Sequence, residues 1–279
     1  MTVSNDDSGG QAATDPAHST RTLATLLVGS LLALLLSAAA PAIELDSGLA
    51  LVAWSVSLSG GHLGIPVVLV LGVAWLSATG TFSVSRPSMA ALLTGVLLGV
   101  LGATAWSNEH VLKPAVAAAR PNIQELARLN VIPSAEGFYA TGDKDRRTQE
   151  LRHLFNTQPA SALLPKLHPL IREHWLIKTG HSFPSGHTLA SVTIATAFTL
   201  LGFRLRSRPH WLTWVLLPWA VLVGWSRYLL RVHSTADITC GGLLGILLGL
   251  LVYGIVLRWL KLQQTTNQTL TDRQARTAI

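Results

Sequence analysis

The sequence predicts an all-α membrane protein, a bundle of six transmembrane helices carrying a partly helical subdomain on its outer face. Three observations predict it. Of 279 residues, 49% are hydrophobic and 13% charged, about half the charged share of a soluble domain. The charges are confined to short links, one long polar region and the termini, leaving apolar runs between them. Lys and Arg also gather on one side of the links that those runs define, the asymmetry of an inserted polytopic chain. The net charge of +7 therefore reads as membrane orientation and not as a nucleic-acid surface, because the arginines sit at the ends of apolar segments. Cys240 is the lone cysteine, so no intramolecular disulfide is available.

Taken in order, residues 1–20 are polar and lack apolar periodicity, which predicts a disordered cytoplasmic tail. Residues 21–107 hold the first three spans. Leu23–Ala40 is long enough to cross as a helix; a cleaved signal peptide is the rival reading, since Ser37-Ala38-Ala39-Ala40 resembles a cleavage site. Against that reading, Asp6, Asp7 and Asp15 stand where a leader is basic. Leu49–Leu58 is apolar but short, fitting an interfacial or re-entrant piece that ends at Gly60-Gly61. The second span runs from about Leu63 to Ala78 and the third from Met89 to Trp106. Residues 108–183 form a polar outer cap with mixed charge and several prolines. Residues 184–262 hold the last three spans, Thr188–Phe203, Trp211–Trp225 and Ile238–Leu260, and 263–279 a cytoplasmic tail.

With the N-terminus inside, the inner segments carry Arg21, Arg86, Arg204, Arg206, Arg208, Arg258, Lys261, Arg273 and Arg276. Of the short outer segments, the first carries Glu44 and Asp46 and no Lys or Arg, and the other has only Arg227 and Arg231 as cations. That bias satisfies the positive-inside rule, from which the long 108–183 loop is excluded. Trp106, Trp211, Trp214, Trp225 and Trp259 fall near span ends, as an aromatic belt requires. The topology sends the ends of spans three and five and the starts of spans four and six to one outer face.

Those four ends carry the chemistry. Pro184-Ser185-Gly186-His187 stands where a polar loop becomes a helix. Ser185 can cap that helix, Gly186 admits close backbone approach, and free amides at the helix start make an anion site. Alone, the string also fits a capped helix with an incidental histidine. His233 and Asp237 are four apart and share one face of a helical turn. A carboxylate on one imidazole nitrogen fixes the tautomer and frees the other nitrogen to attack. Arg227 offers a planar fork for phosphate oxygens, with simple pairing to Asp237 as the plainer alternative. Lys113 and Arg120, seven apart, fall on one helix face, with Pro121 ending that helix; interfacial anchoring is the plainer alternative. Three cations against one carboxylate suit an anionic ligand, and the low density of His, Cys and carboxylates disfavours a metal site.

At these residues the chain resembles the type 2 phosphatidic acid phosphatase family, whose signatures have the forms Lys-x6-Arg-Pro, Pro-Ser-Gly-His and Ser-Arg-x5-His-x3-Asp. All three are present in order: Lys113…Arg120-Pro121, Pro184–His187 and Ser226-Arg227…His233…Asp237. The runs Ile132-Pro133…Phe138-Tyr139 and Glu173-His174-Trp175…Thr179-Gly180 are similar to one subfamily, the bacterial phosphatidylglycerophosphate phosphatases of type B.

The resemblance implies a six-helix core, with a pocket shared with vanadium-dependent haloperoxidases, and a metal-independent lipid phosphatase of the bacterial inner membrane with its site on the periplasmic face. It implies His233 as nucleophile, Asp237 as its orienting partner and His187 as general acid. Lys113, Arg120, Ser185, Gly186 and Arg227 are implied as the phosphate cradle. The expected substrate is a membrane lipid phosphate, first phosphatidylglycerophosphate, with undecaprenyl pyrophosphate and phosphatidic or lysophosphatidic acid as rivals. No cofactor and no nucleic-acid partner are expected. An anionic-lipid transporter is the alternative from another class; against it, the charges lie at helix ends, with no internal repeat.

Overall fold

The computed structural model describes residues 16–80, 84–157, 166–205 and 211–277, and every regular element among them is a helix. The first, α1 (Pro16–Leu35), runs into a short 3₁₀ turn ending at Ala39. Residues 1–15 of the expected tail lie outside the described residues, but Pro16–Thr20 are already helical.

Next comes α2 (Gly48–Ser59), where the Ser47 hydroxyl accepts the Ala50 N–H at 3.3 Å. After the Gly60-Gly61 break, α3 (Gly64–Thr79) leaves at 59° to it. The expected third span is α4 (Arg86–Ser107), which continues through a π-helical turn, Asn108–Leu112, into the short α5 (Lys113–Val116).

At this point the expected geometry of Lys113 and Arg120 is corrected. Ala117 takes a left-handed φ of 50° and ends α5, so the two residues do not share one helix. Arg120 is extended, with ψ of 145°, and Pro121 opens a new helix, α6 (Pro121–Arg128), instead of ending an old one. The pre-proline position favours extended backbone and the proline itself suits a first helical turn, which together account for both.

The cap continues with α7 (Ala135–Ala140), α8 (Lys144–Thr157) and α9 (Pro169–Leu176). Its core joins Ile123, Leu126, Phe138, Leu151, Phe155, Ile171 and Trp175 to Leu230 and Val232. The Trp175 indole N–H donates to the Leu230 carbonyl at 2.9 Å, tying the cap to the bundle.

The chain then enters α10 (Gly186–Arg204), α11 (Trp211–Leu229), with Pro218 inside it, and α12 (Thr235–Thr277). The last is 43 residues long and carries the expected polar tail as helix. No glycine or proline interrupts 261–277, and Thr265, Thr266, Thr269 and Thr271 satisfy their hydroxyls on carbonyls one turn back.

The central helix is α10. Its most apolar 18-residue window is 78% buried, against 11% for α1 and 33% for α12, whose outer faces are left apolar. Three glycines one turn apart on α12 make its closest approach. A Cβ on Gly241, Gly245 or Gly249 would stand 2.7 Å, 2.8 Å or 3.0 Å from the carbonyl oxygens of Ser185, Leu189 and Thr193. The matched four-residue steps show that the two helices run parallel in contact. Among the described residues, four helices are long and apolar enough to cross a membrane, or five if α2 and α3 form one bent span.

Candidate active site

All three motif stretches meet at one end of the bundle, under the cap. The Ser185 N–H donates to the Asp237 carbonyl at 3.0 Å, joining the start of α10 to the first turn of α12. The Arg120 guanidinium crosses the gap to both. Its Nε donates to the Gly180 carbonyl at 2.7 Å, Nη1 to the Val232 carbonyl at 2.8 Å, and Nη2 to the His181 carbonyl at 3.1 Å. Arg120 is 4% exposed and Arg227 1%, so both charges are buried rather than serving as interfacial anchors.

A cavity of about 490 Å³ opens at this junction. Lys113, Arg120, Gly186, His187, Arg227 and His233 all line it. Deeper along the bundle, Ile65 and Pro66 of α3, Leu101 and Ala105 of α4, and Leu189 of α10 give it an apolar wall. Ser185 and Asp237 are not in the lining. Ser185 occupies the N-cap position with ψ of 108° but makes no capping hydrogen bond; its Oγ accepts from Thr188 Oγ1 at 2.9 Å.

His233 lies in the turn before α12, with Nδ1 3.5 Å from Asp237 Oδ2 and Nε2 3.2 Å from Arg120 Nη1. The Ser234 N–H donates to Asp237 Oδ2 at 2.7 Å, holding the carboxylate in place. Burial first, then the Arg120 and Arg227 cations, push the His233 imidazole well below its ordinary value, which keeps it neutral. One ring nitrogen thus lies near a carboxylate and the other meets the Arg120 guanidinium, and His233 and Arg120 both line the cavity. His187 Nε2 lies beside Gly61, where a Cβ would stand only 3.1 Å from it.

Arg227 does not pair with Asp237. Its Nη1 donates to Ser57 Oγ and faces His174 Nε2 at 3.0 Å. Burial and then the Arg227 charge push His174 down to about 2, leaving a neutral ring that can accept this bond. Lys113 is paired with Glu109, one turn back along the chain.

Several lining or supporting residues were not singled out from sequence: Ser57, Asn108, Glu109, Lys144 and Lys178. The side chain of Asn108 packs against Gly186, where a Cβ would stand 3.1 Å from its amide nitrogen. The signal at Gly60-Gly61 was visible as a chain break, but its use as room for the His187 ring was not.

The sequence pattern of the PAP2 superfamily matches residues 88–261, more than half of the chain, and all three stretches fall inside it. The chain belongs to the PAP2 superfamily. It is also 29% identical over 154 residues to phosphatidylglycerophosphatase B of Escherichia coli strain K12, of Escherichia coli O157:H7 and of Shigella flexneri. Each alignment covers 55% of this chain and 55% of the relative, so the chain matches about half the length of those proteins. The resemblance to the type 2 phosphatidic acid phosphatases, drawn from three motifs, therefore holds for the PAP2 region as a whole.

Proposed function

We propose that this protein is a six-span membrane lipid phosphatase that hydrolyses the terminal phosphate of phosphatidylglycerophosphate through a phosphohistidine, on the outer face of a bacterial inner membrane. The observation that carries it is the placement of His233, with Nδ1 near Asp237 and Nε2 beside Arg120, in the lining of a cavity shared by Lys113, Arg120, Arg227 and His187.

In this mechanism the phosphate occupies the cation-lined end of the cavity. Lys113, Arg120, Arg227 and the Gly186 amide region neutralise its equatorial oxygens as charge develops. Ser185 supports that helix start from behind. His233 Nε2 attacks phosphorus while the bond to the lipid oxygen breaks, and His187 gives that oxygen a proton. Asp237 stabilises the Nδ1 proton of His233 throughout. Water then attacks phosphorus, His187 takes its proton, and the nitrogen–phosphorus bond breaks to release inorganic phosphate.

The apolar wall formed by Ile65, Leu101, Ala105 and Leu189 supports lateral entry of a lipid, with its chains between helices and its headgroup under the cap. Similarity to the phosphatidylglycerophosphatase B proteins supports phosphatidylglycerophosphate as first substrate. The test is phosphate release from phosphatidylglycerophosphate, undecaprenyl pyrophosphate and phosphatidic acid in matched detergent micelles with EDTA present. Release fastest from the first, unaffected by EDTA, is expected. No release from any of the three overturns the proposal.

A further inference from the structure

The cavity holds more positive charge than one phosphate monoester requires. Lys113, Arg120, Lys144, Lys178 and Arg227 all line it, and the lining has a single carboxylate, Glu109, which is already paired with Lys113. Lys144 and Lys178 belong to none of the three motifs. Among the described residues, the Lys178 ammonium makes no hydrogen bond and has no carboxylate within ion-pair distance.

The segment that carries Lys178 is anchored on both sides. The Lys178 N–H donates to the Trp175 carbonyl at 3.0 Å, ending α9. Thr179 Oγ1 donates to the Lys144 carbonyl at 3.1 Å and lies 2.8 Å from Thr148 Oγ1, which docks α8 alongside. The carbonyl of Gly180 accepts Arg120 Nε. This three-residue segment therefore sets a cap-side pair of lysines next to the motif arginine. Burial and then the Arg227 and Arg120 charges push Lys178 down to about 7, so its ammonium form lacks a counter-charge here and is favoured by an anion beside it.

We propose that Lys178, with Lys144 at the rim, forms a second anion subsite that selects lipids carrying a further phosphate group, either bonded to the one that is hydrolysed or a glycerol away from it. The shared chemistry is a second phosphate, across a glycerol from the scissile group in phosphatidylglycerophosphate and bonded directly to it in prenyl diphosphates, and absent from phosphatidic acid. The inference rests on the proposed phosphatase activity and deepens it.

The test compares wild type, K178M and K178R with the three lipids, and measures inhibition by inorganic pyrophosphate against inorganic phosphate. In the wild type, pyrophosphate is expected to inhibit at about tenfold lower concentration than phosphate. K178M is expected to lower the kcat/KM ratio of a two-phosphate lipid over phosphatidic acid about tenfold, and K178R to restore most of it. Whichever of phosphatidylglycerophosphate or prenyl diphosphate loses more marks the natural source of the second phosphate. Equal losses for all three lipids, or no change in the ratio, overturn the subsite. If K178M does not fold, a wild-type protein that binds pyrophosphate no better than phosphate overturns it alone. Wild-type protein that hydrolyses none of the lipids contradicts the activity instead, a distinguishable failure.

Discussion

Arg227 shows how the site depends on residues remote in sequence. Its guanidinium is buried against Ser57, 170 positions away, and His174, 53 positions away. Deleting the His174 ring leaves a buried donor unsatisfied, a cost of about 1–3 kcal/mol. His174→Ala is therefore expected to lower kcat/KM about 10- to 100-fold, and His174→Gln, which keeps an acceptor, to recover most of that. A His174→Ala protein with wild-type kinetics would rule out this positioning role. Lys178 gives a pH dependence with a definite sign. It titrates near 7 in the folded protein, facing Arg227, Arg120, Lys144 and Lys113, with the His174 and His187 rings beside it. Unfolded, it titrates at about 10.4, so between these values only the unfolded chain holds the proton and stability rises with pH. An anion favours the protonated form, so its affinity is greatest below about 7. The pyrophosphate affinity of wild type relative to K178M is expected to fall as pH is raised from about 6 to about 8.5, and a flat ratio contradicts it. The motif residues were legible because their spacing is rare. Ser57 and Lys178 were not, because nothing local in their segments distinguishes them from ordinary polar positions.

At the scale of elements, the decisive contact is between α10 and α12. Close approach at Gly241, Gly245 and Gly249 brings the Ser185 amide to the Asp237 carbonyl, which fixes the second and third motifs relative to each other. A valine at Gly245 would collide with the Leu189 carbonyl and with Val192, whose Cβ lies 2.8 Å from the added carbon. Overpacking of this kind costs about 1–3 kcal/mol, so Gly245→Val is expected to lower Tm by several degrees, read from thermal unfolding in detergent. Gly254→Val, where a Cβ would meet nothing, is the control. Span positions were legible because apolar length is a strong signal: the expected Thr188–Phe203 sits inside α10 and Met89–Trp106 inside α4. The break between α5 and α6 was not, since a left-handed Ala117 leaves no mark in the sequence. Nor was the role of the turn after α2, whose Gly60, Gly61 and His62 line the cavity.

For the whole molecule, charge bias and cap placement lead to the same expected orientation, with the cap outside and the end of α12 inside. Both ends are open to labelling. In a Cys240→Ser background, Glu136→Cys in α7 and Gln268→Cys near the end of α12 are exposed positions on opposite sides of the bundle. A membrane-impermeant maleimide added to spheroplasts is expected to label the first and to reach the second only after lysis. The reverse pattern contradicts the proposed topology. The overall helical architecture was legible from composition and spacing alone; how the cap feeds extra cations into the cavity required the packed structure, because α8, α9 and the Lys178 segment meet only through tertiary contacts.

The central claim is covalent catalysis by His233, and trapping the phosphoenzyme tests it most directly. Rapid acid-free quenching of wild-type protein with a lipid bearing a labelled terminal phosphate is expected to leave an acid-labile, base-stable label on the chain. His187→Ala is expected to turn over about 10²- to 10⁴-fold more slowly, and His233→Ala to take up no label. A His233→Ala protein that still hydrolyses lipid or still carries the label would contradict the assignment.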